Sequence, residues 1–273
     1  ILFKKKVVKI VIKDKKISGI DTDDNTFYET ENIISTANPK TTLNLFNEKF
    51  FRNTYTDRIM EMPSTNGHFG GYFLTDADLS QYNYDVLNFP DYDINKIYNN
   101  PVSDLNDDFF MYYTVPTARL GKSKDKHIIE TLSLDDYSNY SKWGESRIGK
   151  RPKEYYNLKE KILLKTENQL CKLIPDIKGK IEYKEGSTPL TNLHYTMSPE
   201  GAMYGIKHSM DQMHAPIRAR TKLDGFYFSG QSLIFPGIVG VSITSFVTCS
   251  DILGQDNLFE KIDKKLGLNK FKK

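Results

Sequence analysis

Apolar positions alternate with polar ones from the start of the chain. Val7, Ile10 and Ile12 precede a charged turn, Asp14-Lys15-Lys16, and Ile17, Gly19 and Ile20 follow it. Short apolar runs joined by a tight polar turn predict a β-hairpin. A second turn at Asp23-Asp24-Asn25 leads to Phe27-Tyr28, and Ile33-Ile34 is a short apolar strand running into Ser35-Thr36-Ala37-Asn38-Pro39. Pro39 has no N–H to give a ladder and stops regular pairing. Residues 1–40 therefore read as a β-meander plus a buried strand.

From 41 to about 140 short helical and strand-like pieces alternate. Phe69, Tyr72 and Phe73 form one candidate strand, and Phe109 to Tyr113 with Val115 form another. The segment from Ser80 to Asn106, rich in Asn, Asp and Tyr, reads as a surface excursion. Gly67-His68-Phe69-Gly70-Gly71 is expected to make a turn. From Pro152 to Ile174 the spacing changes to threes and fours: Tyr155, Leu158, Ile162, Leu163, Leu170, Leu173 and Ile174 predict an amphipathic helix closed by Pro175. Ile181 and Tyr183 make a short strand after it.

The last organised block is a strand at Gly225 to Phe228, a turn at Ser229-Gly230-Gln231, and the run Pro236-Gly237-Ile238-Val239-Gly240. A helical pattern from Val241 to Leu253 follows, with Gly254 where a C-terminal glycine cap belongs. Leu258, Phe259, Ile262 and Leu266 suggest a short tail helix within 257–273. There is no internal repeat.

Composition narrows the classes. With 17 Tyr, 16 Phe, 27% charged residues and a mean hydropathy of −0.53, the 273 residues describe a soluble globular protein with a sizeable core. The net charge of +3 is small and the signs are interspersed, which argues against nucleic acid as a partner. Cys171 and Cys249 fit no metal spacing and read as buried thiols of a reducing compartment. No apolar run is long enough to span a membrane. The chain opens on Ile1, and its first residues already read as the middle of a sheet, so a fragment or processed product is expected.

A strand, a small-residue turn and a glycine-rich helix start together suit an anion or cofactor, because unpaired N–H groups and the helix dipole favour negative charge there. Gly230, Gly237 and Gly240 would let a bulky ligand approach the main chain. The alternative is that these glycines serve turn geometry and close helix–sheet packing, and the residues alone leave both open. His68, His127, His194, His208 and His214 show no H-x-x-H or H-E-x-x-H spacing, so no metal site is expected.

The string from Phe226 to Gly254, FYFSGQSLIFPGIVGVSITSFVTCSDILG, resembles the closing cofactor motif of the all-trans-retinol 13,14-reductase, carotenoid isomerase and phytoene desaturase family of flavin-dependent oxidoreductases. Ser229 stands where that family has Thr, and Gly237, Gly240 and Val241 match. Pro236-Gly237 replaces a frequent His-Gly pair. Thr188-Pro189-Leu190-Thr191, Pro199-Glu200-Gly201-Ala202-Met203-Tyr204-Gly205 and Arg220-Thr221-Lys222 resemble three further segments. At the other end, KKKVVKIVIKDKKISGI with IISTANP resembles the family's second cofactor-domain passage. The likeness covers most of 1–256 and is weak between about 75 and 140.

The resemblance implies a mixed α/β fold: an FAD-binding, Rossmann-like domain of the glutathione-reductase type, built from 1–40 and 191–256, around a substrate domain at 41–190. The G-x-G-x-x-G turn that holds the ADP half of FAD is absent from this sequence, so the domain is expected to lack its N-terminal βαβ unit. A missing N-terminal segment of the same protein thus becomes an expected partner. By the family's pattern Val7 lies under the adenine, Gly230 and Gln231 lie near the pyrophosphate and ribityl chain, and Gly237 opens the approach. Gly240, Val241 and Ser242 point N–H groups at the flavin pyrimidine edge, so that a side chain at 240 would enter ligand space. Tyr204 is the candidate proton donor to a polyene carbon, since the flavin would supply the hydride. His194 flanks the same segment, and Trp143 is expected only to pack. The implied function is reduction, desaturation or isomerisation of a hydrophobic polyene or isoprenoid, with a cytoplasmic location and peripheral membrane contact. The 41–190 segment would build its apolar chamber. The alternatives are a non-catalytic carrier of apolar ligands or interaction module on the same fold, and an amine oxidase-like flavoenzyme.

Overall fold

The first hairpin turns on two residues. Lys13 pairs with Lys16, and Asp14 and Lys15 between them take left-handed φ values of 49° and 63°, which matches the twist of the strands they join. The computed structural model describes residues 1–47, 50–107, 109–121, 125–212 and 216–267, and the chain divides into two compact units, Ile1–Ser64 with Tyr204–Lys273, and Thr65–Met203.

In the first unit β1 (Val7–Lys13), β2 (Lys16–Thr22) and β3 (Phe27–Glu29) form the antiparallel meander that the alternation predicts. β4 (Ile33–Ser35) leaves that sheet and runs parallel to a strand from the far end of the sequence, Phe226–Phe228. α1 (Pro39–Leu43) starts at once, with Asn38 Oδ1 accepting the Lys40 N–H at 2.9 Å. α2 (Asn53–Glu61) follows. The core of this unit gathers Ile10, Leu43, Ile59, Phe226, Phe228 and Leu233, with Phe46 edge-on to Phe226 at 5.2 Å between ring centroids.

The second unit is a five-stranded antiparallel sheet in the order β6-β7-β8-β5-β9, built from β5 (Gly67–Thr75), β6 (Val86–Asn88), β7 (Met111–Thr114), β8 (His127–Asp135) and β9 (Ile181–Ser187). α3 (Pro116–Arg119), α4 (Lys153–Leu173) and α5 (Pro189–Thr196) complete it. α4 is the helix expected from the threes and fours, and its Ile162, Leu163 and Leu170 share one core with Phe69, Phe73, Ile129 and Trp143. Trp143 is buried there, as expected. The Thr188-Pro189-Leu190-Thr191 string is a capping box: the Thr188 N–H donates to Thr191 Oγ1 at 3.1 Å. The excursion from Ser80 to Asn106 is mostly exposed, yet β6 ties it to the sheet edge and Val102 to the core.

One local expectation is corrected. Gly67 to Gly71 does not turn: it is the first half of β5, paired throughout with β8 and, from Gly70 onward, with β9 as well. The glycines there make room for rings. A Cβ at Gly71 would lie 2.9 Å from the Phe73 ring, and one at Gly186, opposite on β9, would lie 2.6 Å from the Phe69 ring. Aromatic rings laid over glycines supply the packing that the missing side chains would have made.

The first unit closes with β10 (Phe226–Phe228), α6 (Gly237–Leu253) and α7 (Gln255–Leu266). Among the described residues no single helix is long and apolar enough to cross a membrane.

Candidate functional site

β4 and β10 point the same way, so the turns that leave the two strands collect at their shared carboxyl end. That is where open α/β sheets hold ligands. Past β10, the Ser229 N–H donates to Ser35 O at 2.8 Å, which keeps the two chains in step for one residue more. Gly230 then takes φ +92°, and a Cβ on it would lie 3.2 Å from Thr36 O. A glycine is needed here for both reasons. Past β4, Asn38 spends its Oδ1 on the α1 cap, while its Nδ2 is buried with no partner.

The segment containing Tyr204 comes to the same place. A Cβ on Gly205 would lie 2.3 Å from Ser232 Oγ and 3.7 Å from Gln231 Cγ, so the two chains touch main chain to side chain. The Ile206 N–H donates to Ser232 Oγ at 3.4 Å, and His208 Nε2 meets the carbonyl oxygen of Gln231 at 3.2 Å. Two strings about 25 residues apart are thereby folded into one wall, with Tyr204 exposed at its rim and Gln231 half-buried behind it.

α6 begins four residues before the Val241 start that the pattern predicts. With Pro236 as the N-cap, whose carbonyl accepts the first intrahelical bond from position 240, the unspent donors are the N–H groups of Gly237, Ile238 and Val239. Those of Val241 and Ser242 fall inside the intrahelical ladder, and Ser242 Oγ donates back to Ile238 O at 2.7 Å. Gly237, with φ +80°, has open space where a Cβ would be. Gly240 does not. A Cβ there would lie 2.3 Å from Phe235 O and 2.6 Å from its carbonyl carbon, so the space beside Gly240 is filled by the loop's own main chain. This corrects the expectation that a side chain at 240 would project into ligand space. Val7 sits in the meander, paired with Thr22 at the start of β1.

A cavity of about 470 Å³ adjoins this wall within the first unit. Met62, Ile206, Met210, Ile217, Leu233 and Phe235 give it an apolar lining, and His208, Ser209, Gln212 and Ser232 are its polar groups. The aromatics of the other unit, Phe69, Phe73, Phe109, Tyr113, Tyr140 and Tyr155, are packed into its own core.

Of the other histidines, His68 Nδ1 lies 3.3 Å from Asn192 Nδ2, and burial holds its pKa below the usual imidazole value. His127 Nδ1 pairs with Thr117 Oγ1 at 3.0 Å, and His194 stacks edge-on against Tyr195. His214 lies outside the described residues. Among those described, no group of three or more His, Cys, Asp or Glu could hold a metal. Cys171 and Cys249 are unpaired thiols, each half-buried.

One perturbed group escaped the sequence reading. Asp135, at the end of β8, is 1% exposed and accepts hydrogen bonds from Ser103 Oγ, from Tyr140 Oη at 2.6 Å and from the Asp136 N–H at 2.9 Å. Burial outweighs these donors and pushes its pKa up to about 6. The available signal was an aspartate ending an apolar strand, Leu132-Ser133-Leu134-Asp135, but many solvated strand ends look the same.

No family model matches the chain. Among curated proteins it is 30% identical over 141 residues to the all-trans-retinol 13,14-reductase of Danio rerio. That match takes in 50% of this chain and 23% of the relative. The Homo sapiens protein of the same name is 29% identical over 130 residues, 46% of this chain and 21% of its own length. Half of this chain is homologous to the retinol 13,14-reductases. The matched stretch thus spans less than a quarter of those retinol reductases. Among solved structures, a putrescine oxidase redesigned in its cofactor binding superposes with a TM-score of 0.56 at 10% identity, over 95% of this chain and 48% of that one. An oxidoreductase from Methanosarcina mazei gives 0.50 at 12% identity, over 91% and 48%. At such identities the likeness is one of fold, and it is the mixed α/β fold that the sequence led us to expect.

Proposed function

We propose that this chain carries one wall of an FAD site in a flavin-dependent oxidoreductase acting on a hydrophobic polyene or isoprenoid of the retinoid kind. The observation that carries the reading is the packing of Gly205 and Ile206 against Gln231 and Ser232 at the carboxyl ends of β4 and β10. Two segments that resemble the retinol reductase family meet there, in the place where an α/β sheet offers a ligand its helix starts and turns.

The residues present fit the ring end of a flavin. The first turn of α6 is open, with Gly237, Ile238 and Val239 exposed, and its N–H groups are placed to stabilise negative charge on a ring edge. Gln231 can bond a ribityl hydroxyl, and the buried Asn38 amide is an uncommitted donor at the same end of the sheet. Bound flavin would supply two-electron chemistry as a hydride. Tyr204, at the rim, would hold the proton that must reach the substrate carbon. The apolar cavity beside Ser232 to Phe235 suits an apolar substrate better than an amine, which favours the retinoid reading over the amine oxidase one.

Because the sequence has no G-x-G-x-x-G turn, the chain should purify colourless and bind FAD weakly. Riboflavin, which lacks the ADP half, should then be quenched as well as FAD is, and Gln231→Ala should weaken both. If riboflavin quenching is no greater with the folded chain than with the heat-unfolded one, the ring-side assignment fails. A yellow protein with about one FAD per chain would instead show that the wall described here suffices.

A further inference from the structure

Charge and burial disagree at the start of α4. Arg151 is 9% exposed, and among the described residues it is the one Lys or Arg that is buried. A buried guanidinium ordinarily faces an opposite charge, because stripping its water is costly without one. Among the described residues Arg151 forms no ion pair. Asp135, the one buried carboxylate, is bonded instead by Ser103, Tyr140 and the Asp136 N–H. Arg151 meets two groups. Its guanidinium carbon lies 4.8 Å from the centre of the Tyr155 ring, and Nη1 donates to Ser146 Oγ at 3.4 Å. The Ser146 hydroxyl gives its own hydrogen to Trp143 O. The remaining guanidinium N–H groups have no partner among the described residues, yet they are not sealed from solvent. A cation–π stack offsets part of the charge and leaves the fork uncommitted.

The helix start beside it adds to the same field. α4 begins without a side-chain cap: Pro152 stands at its N-cap, and the Lys153 and Glu154 N–H groups have no partner within the helix. Tyr155, whose ring carries the guanidinium, is the third residue of that turn. Residues 142–154 hold five basic side chains, Lys142, Arg147, Lys150, Arg151 and Lys153, against Glu145 and Glu154. Their excess of three positive charges equals that of the whole chain, and among the described residues none of the five forms an ion pair. Lys142 Nζ lies 4.4 Å from the centre of the Trp143 ring, which meets Tyr155 edge-on at 5.7 Å. Two cations thus lie against one aromatic pair. Glu154 is the opposing charge in the first turn, and it is exposed.

We propose that Arg151 and the first turn of α4 bind a phosphate group, either free phosphate or the terminal phosphate of a small ester, with Lys142 adding to the field. The guanidinium fork matches a carboxylate as well as a phosphate. The open helix start and the second cation favour the dianion, since each adds positive charge beyond what one carboxylate would use. All these residues belong to the second unit, and no flavin enters the test, so its failure would leave the flavin reading untouched.

The test titrates the whole chain with inorganic phosphate while KCl holds the ionic strength constant, because surface charges are screened by salt. Trp143, the chain's single tryptophan, reports from beside Tyr155. Its fluorescence should change saturably, and the melting temperature should rise with phosphate. Arg151→Met keeps an unbranched stem against Tyr155 without the charge. It should abolish both responses and leave the melting temperature in KCl unchanged or higher. Arg151→Lys keeps the charge but loses the fork, and should raise the half-saturating concentration by about tenfold or more; it carries the test if the Met variant does not fold. Glu154→Gln, which removes the opposing charge, should lower that concentration by about two- to fivefold. Glycerol 3-phosphate in place of phosphate separates the two sources: tighter binding assigns the site to an ester, and equal or weaker binding to free phosphate. A response that does not saturate, or that Arg151→Met retains, overturns the proposal and leaves an adventitious ion only. Tighter saturation by acetate overturns it in favour of a carboxylate. No response in the parent chain, with a lowered melting temperature in Arg151→Met, overturns it and makes Arg151 a packing residue.

Discussion

Replacing Asp135 with asparagine should change the pH dependence of stability. In the folded protein the carboxyl is buried at the end of β8, and its pKa is pushed from the ordinary 3.8 to about 6. Between those values the folded protein holds a proton that the unfolded chain has lost, so protonation favours folding. The contribution is fully present below about pH 4 and is lost as the pH rises through about 6. Roughly two pKa units at 1.36 kcal/mol each make this about 3 kcal/mol. Asparagine does not titrate, yet its Oδ1 can still accept from Ser103 or Tyr140. The stability of the variant minus that of the parent should therefore rise by about 3 kcal/mol between pH 4 and pH 7.5. Any loss from imperfect hydrogen bonding in the variant is a constant offset, and the slope is what matters. Trp143 is the sole tryptophan, and its ring lies 6.3 Å from that of Tyr140, so urea unfolding followed by its fluorescence reads this unit directly. A difference that is flat across the range, or that falls with pH, would refute the account of a desolvated carboxylate.

Gly240→Ala should cost about 1–3 kcal/mol with or without flavin, because the added methyl collides with the Phe235 main chain; thermal melts of the flavin-free chain check it, and an unchanged midpoint would mean the loop yields. Gly186→Ala should be destabilising by a similar about 1–3 kcal/mol, and combining it with Phe69→Leu should recover part of the loss, since the ring it meets is removed. Thr248→Val, which loses the hydroxyl that reaches Phe228 O, should cost about 1 kcal/mol in urea unfolding.

Much of the fold is local, and so is legible in the order of the residues alone. Alternation placed the meander, the spacing of Tyr155 to Leu173 placed α4, and the strings around Gly230 and Tyr204 marked the two segments that form the candidate wall. These signals survive in sequence because period and turn chemistry act over a few residues. What the period cannot say is what lies opposite. Gly70 and Gly71 became strand rather than turn because rings from neighbouring positions fill the space above them. Gly240 became a packing residue because residue 235 folds back onto it. α6 reads as a helix from its sequence alone, but the side it buries was decided by Thr248 meeting β10, which leaves Val239, Ile243 and Phe246 outward. Asp135 is an ordinary strand-end aspartate until Ser103 and Tyr140 close over it. In each case the residue's role depends on which distant atoms occupy the volume beside it, and only tertiary packing determines that.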